Sequence, residues 1–166
     1  MAVLIRSFAP ADLAAVRRLF TEYAATVGVD LAFQAFESEL AALPGDYLPP
    51  SGGLLVALEG TDLLGCVAVR RFDAETAEMK RLFVAPNGRG RGLGGRLVDG
   101  IIGIARDIGY RAIRLDTLPT QQAAQRLYLL RGFAPIPPYR HNPIPGSQFL
   151  EMSLVDPPVP GRDHGA

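Results

Sequence analysis

Residues 78–95 read Glu-Met-Lys-Arg-Leu-Phe-Val, then Ala-Pro-Asn-Gly, then Arg-Gly-Arg-Gly-Leu-Gly-Gly. The first run has strand character and ends before Pro86. Beyond it, Leu93, Leu97, Ile101, Ile104 and Ile108 recur at helical spacing until Gly109, which suits a left-handed cap. A strand therefore feeds a loop of four glycines and two arginines that opens a helix. Glycines let backbone approach a ligand closely, and a helix N-terminus presents unpaired N–H groups and partial positive charge. Such a junction is predicted to hold a phosphate or pyrophosphate rather than to be a plain surface loop.

Gly90, Gly92 and Gly95 also satisfy G-x-G-x-x-G, and Asp116 lies 26 residues beyond Gly90. That spacing is the dinucleotide fingerprint. Two features oppose it. Pro86 and further loop residues separate strand from glycines, and the remaining chain is too short for the second half of a doubly wound sheet.

The rest of the chain supplies the surrounding layers. A strand is expected over Val3–Phe8, then a helix opened by Pro10 and Asp12 with Leu13, Val16, Leu19, Phe20 and Tyr23 on one side. A second helix is expected from Phe33 to Leu43. Strands over Leu54–Glu59 and Leu63–Phe72, joined by Gly60-Thr61, form a hairpin. Ala77–Val84, Arg111–Thr117, Phe133–Ile136 and Gln148–Leu154 read as further strands, and Thr120–Arg131 as a helix. The expected domain is 1–155, of α/β (α+β) class, with 156–166 a flexible polar tail. This order implies helices covering a mixed sheet.

Charge bears on the choice of ligand. The 166 residues carry 17 basic and 17 acidic side chains, so bulk attraction to nucleic acid or to an anionic membrane is not expected. Yet between Lys80 and Arg114 eight basic residues (80, 81, 89, 91, 96, 106, 111, 114) meet only Asp99 and Asp107. This reads either as a solvated helix face or as a site for a compact polyanion. The one cysteine, Cys66, in an apolar run, is expected to be a core residue of a protein kept in a reducing compartment. Two histidines do not suggest a metal site, and no run of about 20 apolar residues is present. A cytoplasmic location is expected.

Arg89, Gly92 and Gly94 fit [Q/R]-x-x-G-x-[G/A]. Downstream, Ala124-Gln-Arg-Leu-Tyr128-Leu-Leu-Arg-Gly132-Phe133 fits A-x-x-L-Y-x-x-x-G-F. Together, at this separation and after Glu-Met-Lys-Arg-Leu-Phe-Val, they resemble the GCN5-related N-acetyltransferase (GNAT) family from about Val3 to Leu154. The resemblance implies a mostly antiparallel sheet of about seven strands with a central splay, flanked by about four helices. It also implies acetyl-coenzyme A as acyl donor and no metal.

The resemblance assigns roles by position. The backbone of Leu82, Phe83 and Val84 would receive the pantetheine arm. Amides of Arg89, Gly90, Arg91, Gly92, Leu93, Gly94 and Gly95 would cradle the pyrophosphate, with the two arginine side chains on coenzyme A phosphates. Gln121 stands where many relatives carry asparagine. Tyr128 is the expected general acid for the departing thiolate, and the Leu82 N–H the donor to the developing oxyanion. Glu78 is the candidate base, with a plain salt bridge to Lys80 as its other reading. Arg70, Thr117, Tyr139 and Asn142 are candidate acceptor contacts, with Asp116, His141 and Tyr47 nearby. The expected reaction is direct attack by a primary amine, of a small or amino-acid-like molecule, in a ternary complex. A protein or peptide N-acetyltransferase and a non-enzymatic acyl-coenzyme A sensor are the alternatives, and a homodimer is expected from the family's habits.

Overall fold

The computed structural model describes residues 2–28, 30–32 and 35–156. Among these, a seven-stranded sheet runs β1 (Leu4–Ser7), β2 (Gly53–Glu59), β3 (Asp62–Arg71), β4 (Thr76–Val84), β5 (Ala112–Thr117), then β7 (Gln148–Ser153) and β6 (Ala134–Pro135). Every neighbouring pair is antiparallel except β4–β5. The parallel pair requires a crossover, and the helix that makes it is α3 (Leu93–Ile108). The other helices are α1 (Leu13–Val27), α2 (Phe36–Ala42) and α4 (Gln122–Leu130). The expected architecture is therefore the one observed.

Two apolar layers hold it. The α3 side packs Leu93, Leu97, Val98 and Ile101 on Val67, Val69, Met79, Ile113 and Leu115. The other side packs Val16, Leu19 and Phe20 of α1 on Val56, Cys66 and Ala68. Cys66 is fully buried, and burial pushes its thiol up to about 12, so it is a core residue. The hairpin closes as expected, with Glu59 opposite Asp62.

Some element ends differ from expectation. Phe33 lies outside the described residues, as do 157–166 of the expected tail. Leu43 is not helical: it precedes Pro44, whose ring disfavours the α conformation, and its backbone is extended at ψ 139°. The strand at residues 133–136 shortens to two residues, and the helix at residues 120–131 begins only after Gln121.

Candidate active site

The site begins where β4 loses a neighbour. β4 pairs with β5 only at Thr76–Glu78, opposite Ala112–Arg114. On the other edge it follows β3, but Lys80 lies opposite Ala68 and Phe83 opposite Cys66. Arg81 and Leu82 thus share the single partner position of Val67, which is a β-bulge. Arg81 takes φ 62°, a conformation costing a non-glycine residue roughly 1–2 kcal/mol. A buried ion pair anchors it: Arg81 Nε donates to Glu39 Oε2 at 2.8 Å, its guanidinium between the rings of Tyr23 and Phe36. Beyond the bulge, the edge of Leu82–Val84 facing β5 has no strand partner among the described residues.

That edge, the glycine loop and the start of α4 enclose a cleft of about 620 Å³. Gly90 (φ 76°) and Gly92 (φ 72°) turn the chain so that α3 starts at Leu93, and its first residues Leu93, Gly94 and Gly95 line the cleft. A β-carbon at either would meet nothing within 4 Å, so the cradle stays open while its backbone requires glycine. Arg89 lines the cleft, and its Nε donates to the Val84 carbonyl at 3.1 Å. Arg91 does not line it; its guanidinium pairs with Glu59 on the surface. The basic excess is therefore not one patch. Arg81 binds Glu39, Arg114 binds Glu151, Arg96 donates to the Val3 carbonyl, and only Arg89 faces the cleft. A count along the sequence overlooked that β4 sends alternate side chains to opposite faces.

At its inner end the cleft meets a small polar cavity of about 20 Å³, with Tyr23, Leu82 and Gln121 common to both. Its other walls include Lys80, Asp116 and Tyr128. Tyr128 is 6% exposed, and burial, then the nearby Tyr23 and Asp116, raise its phenol, so it keeps its proton. Lys80 is buried too. Burial, reinforced by Arg81, brings its ammonium down to about 8. Gln121 is fixed as wall: its Oε1 accepts from Leu118 N at 2.8 Å, and its Nε2 donates to the Tyr23 hydroxyl.

Glu78 lies two residues before Lys80 and lines neither cavity. Its side chain is 1% exposed and is gripped by Arg70 at 2.9 Å, by Arg140, and by the Tyr139 hydroxyl at 2.9 Å. Burial alone would favour the neutral acid, but Lys80, Arg140, Arg70 and Tyr139 outweigh it and hold the pKa below the usual carboxylate range. A carboxylate so placed is a weak proton acceptor and a strong anchor. The alternative of a surface salt bridge to Lys80 differs from the structure in place, because both residues are buried, though each charge favours the other.

Of the remaining candidates, Thr117 is buried and donates to Gln121 at 3.3 Å, Asn142 donates to Asp116 at 3.1 Å, and Tyr47 donates to Glu39 at 2.7 Å. Tyr139 stacks edge-on against Phe72 and Phe149. Sequence reasoning missed Tyr23, Lys80 and Arg140. Lys80 alone carried a usable signal, a lysine alternating with Glu78 on the inner face of a central strand.

The acetyltransferase (GNAT) family model matches residues 13–133. This chain belongs to that family. An uncharacterised N-acetyltransferase of Schizosaccharomyces pombe is 44% identical over 148 residues, spanning 87% of this chain and 90% of the relative. A GNAT-family acetyltransferase structure from Staphylococcus aureus superposes with TM-score 0.76 at 20% identity, covering 93% of this chain and 100% of that one. A Salmonella typhimurium structure described with its cofactor acetyl-CoA has TM-score 0.66 at 20% identity, covering 98% and 99%. The GNAT chain is thus an acyltransferase acting on nitrogen. Among its described residues no helix is long and apolar enough to cross a membrane.

Proposed function

We propose that this GNAT protein transfers an acetyl group from acetyl-coenzyme A to the primary amine of a small, amino-acid-like acceptor, by direct attack in a ternary complex. One observation carries the reading: the unpaired edge of Leu82–Val84 leads from the glycine cradle to the cavity walled by Tyr128. The donor supplies an acyl group activated as a thioester. The residues fit it, because an extended amide chain can hydrogen-bond to the free edge as an added strand, and the amides of Gly90–Gly95 suit a diphosphate.

Within this reading Arg89 contacts phosphate, Gln121 and Tyr23 shape the passage, and the Leu82 N–H meets charge developing on the acyl oxygen. Tyr128 donates a proton to the leaving thiolate. A thiol with pKa about 8.5 leaves readily, so this help is modest. The attacking amine must be neutral. Lys80, on the cavity wall and near 8, accepts its proton, whereas Glu78 positions Arg70, Arg140 and Tyr139.

Calorimetry with coenzyme A, followed by thiol release across a panel of amines and peptides, tests the assignment. Micromolar binding and turnover of small amines are expected, and Tyr128→Phe should slow release about tenfold with coenzyme A affinity unchanged. Absence of coenzyme A binding would refute the function, and turnover confined to peptides would refute the acceptor class.

A further inference from the structure

The inner face of β3, β4 and β5 carries a polar stripe unlike the apolar face under α3. Arg70, Lys80, Arg81, Arg114 and Arg140 gather there against Glu39, Glu78, Asp116 and Glu151, with Asp73 near Arg114. The sharing is closest at Glu78, which serves two guanidiniums. Each arginine has five N–H donors, and one carboxylate cannot occupy both sets. Arg140 Nε is buried and has no hydrogen-bond partner among the described residues, which is unfavourable for a buried donor. The pair is not sealed: the side chains of Arg70 and Arg140 remain 26% and 24% exposed. The Tyr139 ring backs Arg140 at 5.2 Å and fixes its plane.

From this geometry we infer that the acceptor carries a carboxylate, received by Arg140 and Arg70, with its amine directed along β4 toward the cavity of Tyr128. The inference deepens the proposed transferase reading and rests on it. Glu78 and Lys80 are two residues apart on the same face of β4, about 6.6 Å along a strand. Glu78, the carboxylate both arginines share, thus lies two strand residues from Lys80 on the cavity wall. Asp116, beside Lys80 and held by Asn142, offers the opposite pole for the incoming ammonium. An amine without a carboxylate would bring its ammonium beside two guanidiniums that share one carboxylate, whereas a zwitterion supplies them a second anion.

The test is binding of amino acids and their carboxamides to protein saturated with coenzyme A, read by calorimetry. At least one acid is expected to bind tenfold or more tightly than its amide. Arg140→Gln should collapse that ratio toward one with coenzyme A affinity unchanged. Arg140→Lys, which keeps the charge but not the planar fork, should give an intermediate ratio and guards against misfolding as the cause. Equal binding of acids and amides, no acid binding to a protein that does bind coenzyme A, or an intact ratio in Arg140→Gln would each overturn the inference. Loss of coenzyme A binding in the unaltered protein would instead overturn the transferase reading beneath it.

Discussion

At its start β4 has a strand on each side, and Glu78 there is held by two arginines and a tyrosine. Six residues further on, the same strand has a partner on one side only, and Val84 offers its carbonyl to an arginine side chain from the loop. The first end is rigid because its backbone is paired with a strand on both edges. The second is receptive because it is paired on one edge alone. What separates them is the bulge at Arg81, an extra residue that re-aims the strand a little beyond Glu78, the last residue it pairs with β5. The opening is thus held by a side-chain contact with α2, far away in sequence.

Removing that contact should have the largest effect. Arg81→Met leaves Glu39 buried without its cation, and breaking one partner of such a pair costs about 3–5 kcal/mol. Urea denaturation should show this loss, accompanied by weakened coenzyme A binding as the bulge relaxes. Pairing it with Glu39→Leu removes the stranded charge and should restore much of the stability but not the affinity. If both return, the bulge does not depend on the ion pair.

Next in size is the chemistry at the cavity between the two ends. A base works in its deprotonated form, so with Lys80 near 8 the rate should rise as pH increases through about 8. Lys80→Met is expected to lower kcat/KM about 100-fold and to abolish that limb of the pH profile. Glu78→Gln should keep the limb but move it to lower pH, because the Glu78 carboxylate, ionised well below that range, holds the Lys80 ammonium up. A limb that disappears in Glu78→Gln and persists in Lys80→Met would return the base role to the carboxylate.

The glycine cradle comes third. Gly92 holds φ 72° at the first turn of α3, so Gly92→Val forces a β-branched residue into a region costing roughly 1–2 kcal/mol. The free loop escapes by rearranging, and ligand must then restore it. Coenzyme A affinity should fall about 5- to 30-fold with little change in stability. Gly103, in open space on the same helix with ordinary backbone, is the control, and Gly103→Ala should leave affinity unchanged.

These regions were unequally legible in the sequence. The glycine loop, α3 and the hairpin at Gly60-Thr61 are local patterns, in which turn residues and periodicity carry the information. The central splay was expected from resemblance, but the bulge beside it is anchored by Arg81 to Glu39 across 42 positions, and no periodicity records such a pair. Glu78 was located correctly on the strand, yet its environment comes from Arg140 and Tyr139 in a proline-rich loop without repeat or pattern. Lys80 and Arg81 were counted with the loop's charges because they are adjacent in sequence. In space they face the sheet interior, where they organise the site instead of meeting phosphate.

The smallest effect separates two arginines that sequence reasoning treated alike. Arg89 reaches over the unpaired edge and lines the cleft, so binding a ligand there trades its bond to the Val84 carbonyl for contacts with a phosphate. Charge-assisted hydrogen bonds are worth about 1.5–3 kcal/mol, less what that exchange gives up. Arg89→Ala should weaken coenzyme A binding about tenfold and flatten its dependence on salt. Arg91 is engaged with Glu59 at the surface and points away, so Arg91→Ala should change affinity by no more than about twofold. Equal losses from both would mean that Arg91 leaves Glu59 when ligand binds, making the receptive end of β4 wider than the cleft alone defines.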